Sequence, residues 1–241
     1  MEWINADWKA PGNIKAVSTT LIGGYSTHHF KSNNLAMHVG DHPSDVVKNR
    51  EQLLQKLALP SEPIWLEQTH STKVVNVHQT DLRKADASIA QKSGYVLAVL
   101  TADCLPVLLT NTNGTEIAAI HAGWRGLVGG IMENTISSMQ TNPSELLAWV
   151  GPGICGNCFE IGGDVLDSFV SHPMFENAMI HQTNTDKWLF NLKALAVKIL
   201  QKSGLNLINN SNYCTFERAD LFYSYRRAMK TGRIATLIWI E

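Results

Sequence analysis

Three potential metal ligands lie in the central part of the sequence, each beside a predicted strand or turn. They are His70, Cys104 and His121, in the segments 65–72, 101–107 and 118–126. Two imidazoles and one thiolate suit Zn²⁺, and three protein ligands leave a fourth position open, as in catalytic rather than structural zinc sites. If the three side chains converge, we expect an enzyme of hydrolysis or group transfer, with these residues as both metal ligands and catalytic residues.

The spacing of these residues leaves a purely structural alternative open. Thirty-three residues lie between His70 and Cys104, and sixteen lie between Cys104 and His121. No compact motif such as H-E-x-x-H requires them to meet. A cysteine beside an apolar run is also commonly a small buried hydrophobic residue. The surrounding sequence therefore has to supply the reason for convergence.

A predicted hairpin connects two of the three candidate ligands. Apolar residues dominate the segments 96–109 and 117–121, which indicates buried strands. An Asn-Gly pair at 113–114 is typical of a tight turn between such strands. We expect the two segments to form a hairpin that brings Cys104 and His121 to the same region of one sheet.

The sequence after His121 predicts a strand, a glycine turn and a helix, with Ala-Gly-Trp-Arg-Gly at 122–126. A helix N-terminus reached through glycines exposes backbone N–H groups and favours anions. Arg125 at this turn adds a bidentate donor for an oxyanion, so we expect it to bind substrate phosphate. The alternative is that the glycines serve only the close packing of the helix against the sheet.

A long polar loop at 26–43 supplies two further candidates for substrate binding. Long loops within compact domains are commonly functional. Asn34 and His38 alternate with apolar residues in this loop, which would direct both side chains to one face. We expect them to contact the substrate, and the alternative is a solvated loop with no role in binding.

The composition is that of an ordinary globular protein, with 44% hydrophobic and 17% charged residues among 241. The pattern of strands and helices predicts an α/β protein, a single domain over residues 1–241 with mixed, partly antiparallel sheet layers and flanking helices. The formal net charge of −1 lacks the basic excess of a nucleic-acid binder, so we expect no nucleic-acid partner.

The apolar runs and the cysteines indicate whether the protein has a membrane segment and in which compartment it is expected. The longest apolar run, at 95–109, contains Thr101, Asp103 and Pro106, so we expect no membrane segment. The N-terminus has no signal-peptide pattern, and four cysteines in this length favour reduced thiols and a cytoplasmic location. Cys155 and Cys158 lack a second pair to complete a structural zinc site, and we expect their C-x2-C spacing to be incidental.

Longer motifs run through nearly the whole sequence. They are Asn34-Leu-x-x-His38-Val-Gly-Asp41, Trp65-Leu-Glu-Gln-x-His70, Ala85-Asp-Ala87, Thr101-Ala-Asp-Cys-Leu-Pro-Val-Leu108, His121-Ala-Gly-Trp-Arg-Gly126, Ala148-Trp-Val-Gly-Pro152, Phe159-Glu-Ile-Gly162, Ser224-Tyr-Arg-Arg227 and Thr231-Gly-Arg233. In this order they resemble the YfiH/YlmD family, which is also called the multicopper polyphenol oxidase or laccase-domain family. The resemblance implies a mixed α/β fold similar to that of the deamidating necrotizing-factor toxins. It also implies a metal site formed by His70, Cys104 and His121.

The resemblance implies two different kinds of activity. Family members are described as purine nucleoside phosphorylases that also cleave methylthioadenosine and deaminate adenosine, whereas the laccase label implies copper and phenol oxidation. A multicopper oxidase needs about ten histidines in paired motifs, and this sequence has no His-x-His pair. We therefore favour a zinc enzyme that phosphorolyses adenosine, inosine and methylthioadenosine and deaminates adenosine, with purine nucleoside and phosphate as its small-molecule partners.

Two alternatives and one departure from the family pattern remain. A metal-free amidase or deamidase would use Cys104 as nucleophile and His121 as base, and a polyphenol oxidase would bind copper at the same site. Leu21 stands where family members usually carry an arginine before the early Gly-Gly pair. If that arginine binds phosphate, we expect phosphorolysis to be weaker here than deamination.

Overall fold

The computed structural model describes residues 1–170, 178–184 and 186–241. Its strands are β1 Trp3–Asn5, β2 Ile14–Thr19, β3 Val74–Asn76, β4 Ala87–Ala90, β5 Val96–Thr101, β6 Leu105–Asn111, β7 Ile117–Ala122, β8 Leu146–Val150, β9 Glu160–Gly162, β10 Met179–Asn184, β11 Lys187–Phe190, β12 Leu207–Asn210 and β13 Ile234–Ile240. Its α-helices are α1 Pro43–Lys56, α2 Trp124–Gly129, α3 Ile131–Ser138, α4 Gly163–Val170 and α5 Leu192–Lys202, and short 3-10 helices cover His28–Phe30 and Pro143–Glu145.

The strands form two larger sheets and one small sheet. The first sheet has the order β1-β2-β13-β5 and is antiparallel throughout. The second has the order β12-β8-β6-β7-β4-β3; it is antiparallel in its centre and parallel at both edges. The third, β10-β11-β9, is antiparallel. These sheets confirm the predicted α/β class with mixed, partly antiparallel layers.

The two larger sheets pack face to face because their central strands bury both of their faces. Successive side chains of a strand point to opposite faces of the sheet. In β5, Leu97 and Val99 pack between the sheets, whereas Val96 and Ala98 pack on the outer side. The same alternation in β6, β7 and β13 explains why these strands are almost continuously apolar in sequence.

Helices cover the outer faces of both sheets, as the sequence predicts. Leu53 of α1 joins the apolar cluster outside the first sheet. Leu127, Ile131 and Leu195, from α2, α3 and α5, join the cluster outside the second. The central layers therefore follow the order helix, sheet, sheet, helix. Among the described helices the longest, α1, has 14 residues, and none is long and apolar enough to cross a membrane.

The predicted hairpin is correct in its second part and wrong in its first. β6 and β7 pair as expected, with Leu105 opposite Ala122. β5, however, pairs with β13 in the other sheet, because its apolar residues fit a partner at the far end of the chain. The chain thus passes from one sheet to the other between β5 and β6. Cys104 lies at this crossing, directly after Asp103, whose φ of 87° is in the left-handed region.

Candidate active site

The three predicted ligands converge at one end of the second sheet. One potential ligand atom from each of His70, Cys104 and His121 lies within 4.8 Å of the other two. The Cys104 Sγ is 3.7 Å from Nε2 of His70, and the two imidazole rings meet edge to face with their centroids 4.8 Å apart. The structure therefore brings together side chains that are widely separated in sequence.

The register of β6 against β7 accounts for the position of Cys104. With Leu105 opposite Ala122, the next residues outward on the two strands are Cys104 and Gly123. A Cβ atom on Gly123 would lie 2.8 Å from Cδ2 of His70 and 3.0 Å from Sγ of Cys104. Only glycine leaves room for both ligands, so this residue serves the site directly as well as preceding α2.

A buried carboxylate, Asp86, holds the two histidines in place. It extends β4 opposite His121, and its Oδ1 accepts a hydrogen bond from Nδ1 of His121 at 2.8 Å. The backbone N–H groups of Thr69, His70 and Ser71 also donate to this carboxylate, as does the Ser71 hydroxyl. The loop at residues 69–71 thus wraps around Asp86, and His70 adopts a φ of 59° within this loop. With Nδ1 engaged, Nε2 of His121 is left for the site.

Asp86 was not selected from the sequence, although it connects two of the candidate ligands, His70 and His121. Its signal was the Ala85-Asp-Ala87 motif, a carboxylate between two apolar residues at the start of a strand. Fully buried aspartates are rare unless they are paired. Burial would raise the pKa of Asp86, but hydrogen bonds from His121 and Ser71 outweigh it and lower this pKa to about 2.

The charges of Cys104 and His121 depend on each other. Burial opposes ionisation of the Cys104 thiol, but His121 and His70 outweigh this effect and lower its pKa to about 6. Burial also opposes a charged His121, but Cys104 and Asp86 raise its pKa to about 9. In the metal-free protein, a thiolate beside an imidazolium is therefore the favoured form at neutral pH.

His70 and Cys104 line a pocket with a volume of about 500 Å³, whereas His121 is buried and is not among the described residues of its lining. Its described lining combines positive charge with aromatic and apolar surface, and consists of His70, Ala102, Asp103, Cys104, Trp124, Arg125, Ile154, Phe159, Leu192, Tyr225, Arg226 and Arg233. Each of the three arginines lies over an aromatic ring of the same wall, with guanidinium carbon to ring centroid distances of 4.2 to 5.8 Å. Such a lining can accept an anion beside a flat, partly apolar group.

Arg125 lies in the pocket wall, at the second position of α2. Two further arginines, Arg226 and Arg233, line the same pocket and were not selected from the sequence. The neighbouring Arg227 does not line the pocket in the described structure; it donates to the backbone carbonyls of Thr215, Phe216 and Phe222 and braces its own segment, whereas Arg226 lines the pocket and donates to the carbonyl of Glu160. Only contacts across the fold distinguish these two adjacent residues.

Asp103 connects the Cys104 crossing to the C-terminal part of the chain. Its carboxylate accepts hydrogen bonds from the hydroxyls of Thr215 and Ser224 and from the backbone N–H of Arg226. These bonds are 2.7 to 2.9 Å long, and the side chain is buried. Asp103 therefore fixes the turn that presents Cys104 and holds Arg226 against the pocket.

Asn34 and His38, the other predicted substrate contacts, are not among the described residues that line this pocket. Asn34 is fully buried; its amide donates to Ala36 and Asp41, and its oxygen accepts from the N–H groups of Ala36 and Arg233. His38 is exposed, and partial desolvation together with Arg233 lowers its pKa. Through Arg233 both residues adjoin the pocket wall, and their contact with substrate stays a prediction.

Leu21, at the position where an arginine was expected, also lies outside the described pocket lining. Its side chain packs in a small apolar cluster with Ala102, Phe222, Tyr223 and Ile234. Because Ala102 also lines the pocket, this cluster backs the wall that carries Cys104. The arginines of the pocket are supplied instead by α2 and by the C-terminal segment.

Comparison with known proteins identifies the family. The profile of the family described as multi-copper polyphenol oxidoreductase laccase matches residues 15–241. The chain belongs to this family. A purine nucleoside phosphorylase of Haemophilus influenzae is 42% identical over the full length of both chains. The purine nucleoside phosphorylase YfiH of Escherichia coli is 43% identical, over 97% of this chain and 96% of the relative. The expected YfiH/YlmD resemblance is thus confirmed.

Solved structures of the same family share the fold. A Neisseria meningitidis protein of the DUF152 family superposes with a TM-score of 0.95 at 43% identity, over the whole of both chains. YlmD of Geobacillus stearothermophilus superposes with a TM-score of 0.87 at 29% identity, over 95% of this chain and 93% of that structure. The α/β architecture described above is therefore that of the family.

Proposed function

We propose that this protein is a purine nucleoside phosphorylase whose reaction takes place at His70, Cys104 and His121. The observation that carries the proposal is the convergence of these three donors beside a pocket lined by three arginines and three aromatic rings. Full-length relatives at 40 to 43% identity that bear the name purine nucleoside phosphorylase support the substrate class. The pocket lining suits both halves of such a reaction, a phosphate anion and a flat purine.

In phosphorolysis, a phosphate oxygen forms a bond to the anomeric carbon of the nucleoside as the bond from that carbon to the purine nitrogen breaks. The electron pair of the broken bond goes to the purine, which takes up a proton, and the products are free base and ribose 1-phosphate. We assign Arg125, Arg226 and Arg233 to the phosphate, because guanidinium groups bind its oxygens in pairs. Trp124, Phe159 and Tyr225 offer faces for the purine.

The donor set fits a zinc ion. Two imidazole nitrogens and a thiolate are common zinc ligands, and the Asp86–His121 hydrogen bond is the outer contact that metal-bound histidines usually make. When bound here, zinc would supply positive charge and one open coordination position. The protein's own part is to keep Cys104 ionised, to direct Nε2 of His121 into the site, and to hold the arginines beside it.

Copper-dependent phenol oxidation, which the family's description suggests, receives less support from the donors. A multicopper centre needs many histidines. Within the described residues, the clusters of potential metal ligands contain two histidines, His70 and His121. Deamination of adenosine at the same site is part of our proposal as a side activity, because the same ligand set is used by hydrolytic zinc enzymes.

A metal-free cysteine enzyme is the second candidate, and one specific observation favours it. Cys104, His121 and Asp86 form the sequence nucleophile, base and orienting carboxylate, and the thiol's pKa is lowered to about 6. This is the arrangement of an activated cysteine that attacks an acyl carbon. Metal content and sensitivity to chelation separate this candidate from the zinc enzyme, whereas loss of activity on thiol alkylation is expected for both.

The discriminating experiment incubates purified protein with adenosine, with and without phosphate, and separates the products. Phosphate-dependent adenine is the result expected for the phosphorylase, and inosine in either condition would report the deaminase. His70→Ala should remove both products, while His29→Ala, a change of the same kind at an exposed histidine in the loop 26–43, should retain them. The proposal would be refuted if a folded, zinc-loaded protein formed neither adenine nor inosine.

A further inference from the structure

A second cluster of soft ligands lies behind the pocket. Cys155, Cys158, Cys214 and Glu217 each offer one ligand atom within 4.8 Å of the others. The first two belong to the loop between β8 and β9, and the last two follow β12. From the sequence alone, the C-x2-C spacing is expected to be incidental, because no second pair of ligands adjoins it. The fold supplies them, because it brings Cys214 and Glu217 beside the pair.

The backbone around this cluster is tied together across the two segments. Gly153 forms a parallel bridge with Cys214, and the Thr215 N–H donates to the Gly153 carbonyl. The Cys155 N–H donates to Sγ of Cys214 at 3.2 Å, and the N–H of Cys158 turns back to the Cys155 carbonyl. The turn between Cys155 and Cys158, together with the N–H directed at Sγ of Cys214, holds the three sulfurs close to one point.

We propose that Cys155, Cys158, Cys214 and Glu217 form a second, structural metal site for a thiophilic divalent cation such as Zn²⁺. Three sulfurs and one carboxylate oxygen give four protein ligands, which closes the coordination shell as structural zinc sites require. Sulfurs about 2.3 Å from a tetrahedral zinc are roughly 3.8 Å apart, which agrees with the 4.8 Å limit for this cluster. Glu217 Oε1 already lies 3.7 Å from Sγ of Cys158.

This second site lies where it would stabilise the wall of the pocket. Ile154 and Phe159, which flank the Cys155–Cys158 turn, line the pocket. Thr215, directly after Cys214, donates a hydrogen bond to Asp103, the residue before Cys104. An ion at this point would clamp the loop 151–159 to the segment 211–217, and so fix both the wall of the pocket and the turn that presents Cys104.

The test uses the Cys104→Ala protein, in which the cluster contains all three remaining thiols. After zinc loading and dialysis against metal-free buffer, we expect retained zinc whose X-ray absorption spectrum shows three sulfur neighbours near 2.3 Å and a lighter atom. A thiol reagent should react slowly with the zinc-loaded protein, and three thiols should become reactive once a chelator removes the zinc. Zinc without sulfur neighbours, three thiols that react at once, or a Cys155–Cys158 disulfide in the protein as isolated would overturn the proposal.

A substitution in the cluster provides a second measurement. Cys158→Ser in the Cys104→Ala background should lower the retained zinc by one ion per chain. Asn157→Ser changes the exposed neighbour in the same turn and should leave the zinc count unchanged. Equal zinc counts in the two variants would contradict the assignment. Because the first site is disabled in both proteins, the outcome does not depend on what that site binds or catalyses.

Discussion

The Asp86→Asn substitution tests how the site is organised, because it replaces one carboxylate oxygen by an amide NH2 group, which donates hydrogen bonds and cannot accept them. Oδ1 of Asp86 accepts from the N–H of His70 and from Nδ1 of His121, and Oδ2 accepts from the N–H groups of Thr69 and Ser71. Whichever way the asparagine is turned, two N–H donors lose their acceptor. In one of these orientations His121 must change its tautomer, which places a proton on Nε2 and blocks metal binding.

The size of the effect follows from the pKa of Asp86 and from its hydrogen bonds. A fall from the ordinary 3.8 to about 2 means that ionised Asp86 stabilises the folded state by about 2 kcal/mol. Unpaired buried donors cost about 1–3 kcal/mol each. With two such donors, we expect Asp86→Asn to lower the free energy of unfolding by about 2–6 kcal/mol, and zinc affinity at the first site to fall about 10–100-fold.

The sign of the pH dependence is fixed by the depressed pKa. The contribution of Asp86 is fully present above pH 3.8 and is lost as the pH falls toward 2, since the folded protein must then take up the proton. Urea unfolding at neutral pH and near pH 3 should therefore show a smaller difference between wild type and variant in acid. A difference that grows in acid would contradict this reasoning.

Glu116→Gln is the matched control. Glu116 is also a buried carboxylate, and it accepts hydrogen bonds from Gln91, Gln140 and Thr141, which lower its pKa against the opposing effect of burial. This substitution should lower stability without changing zinc affinity at the first site. If the two variants lost stability and kept zinc binding and activity alike, Asp86 would be a structural residue only.

Three further predictions concern the thiol, the glycine and the pocket. In metal-free protein, the rate of Cys104 alkylation, measured by mass spectrometry of the Cys104 peptide, should follow a single titration with a midpoint near pH 6 and fall below it. A midpoint near pH 9 would contradict the ion pair between Cys104 and His121. Gly123→Ala should lower kcat/KM about 100-fold because the new Cβ displaces two ligands, whereas Gly12→Ala, where a Cβ meets nothing within 4 Å, should have normal activity. Arg125→Ala should raise the KM for phosphate about 10-fold or more, and a change confined to the KM for nucleoside would assign this arginine to the other substrate.

Local patterns in the sequence were sufficient for the central strands. The apolar runs of β6 and β7 and the Asn-Gly pair between them identify a hairpin, because turn chemistry and burial act over a few residues. The pairing of β5 with β13 was missed, because nothing near β5 specifies a partner at the other end of the chain. The layered order of the sheets likewise depends on contacts that no single segment encodes.

The site residues that could be predicted are those whose side chains are distinctive metal ligands. Residues whose role depends on their position in the fold could not be predicted. His70, Cys104 and His121 stand out as ligand types, and the family resemblance selects them. Asp86 and Arg233 carry common side chains whose roles depend on burial and on neighbours from distant segments. The same limit applies to the second cysteine cluster, since Cys214 joins the C-x2-C pair only through the fold.

The most direct test of the central claim is the phosphorolysis of inosine, because inosine has no amino group and cannot be deaminated. Zinc-loaded wild-type protein, Cys104→Ala and His70→Ala should be compared with and without phosphate, with hypoxanthine and ribose 1-phosphate quantified and folding verified by circular dichroism. We predict phosphate-dependent formation of both products in equal amounts by wild type, and its loss in both variants. Undiminished turnover in folded Cys104→Ala, or release of free ribose without phosphate, would contradict the account.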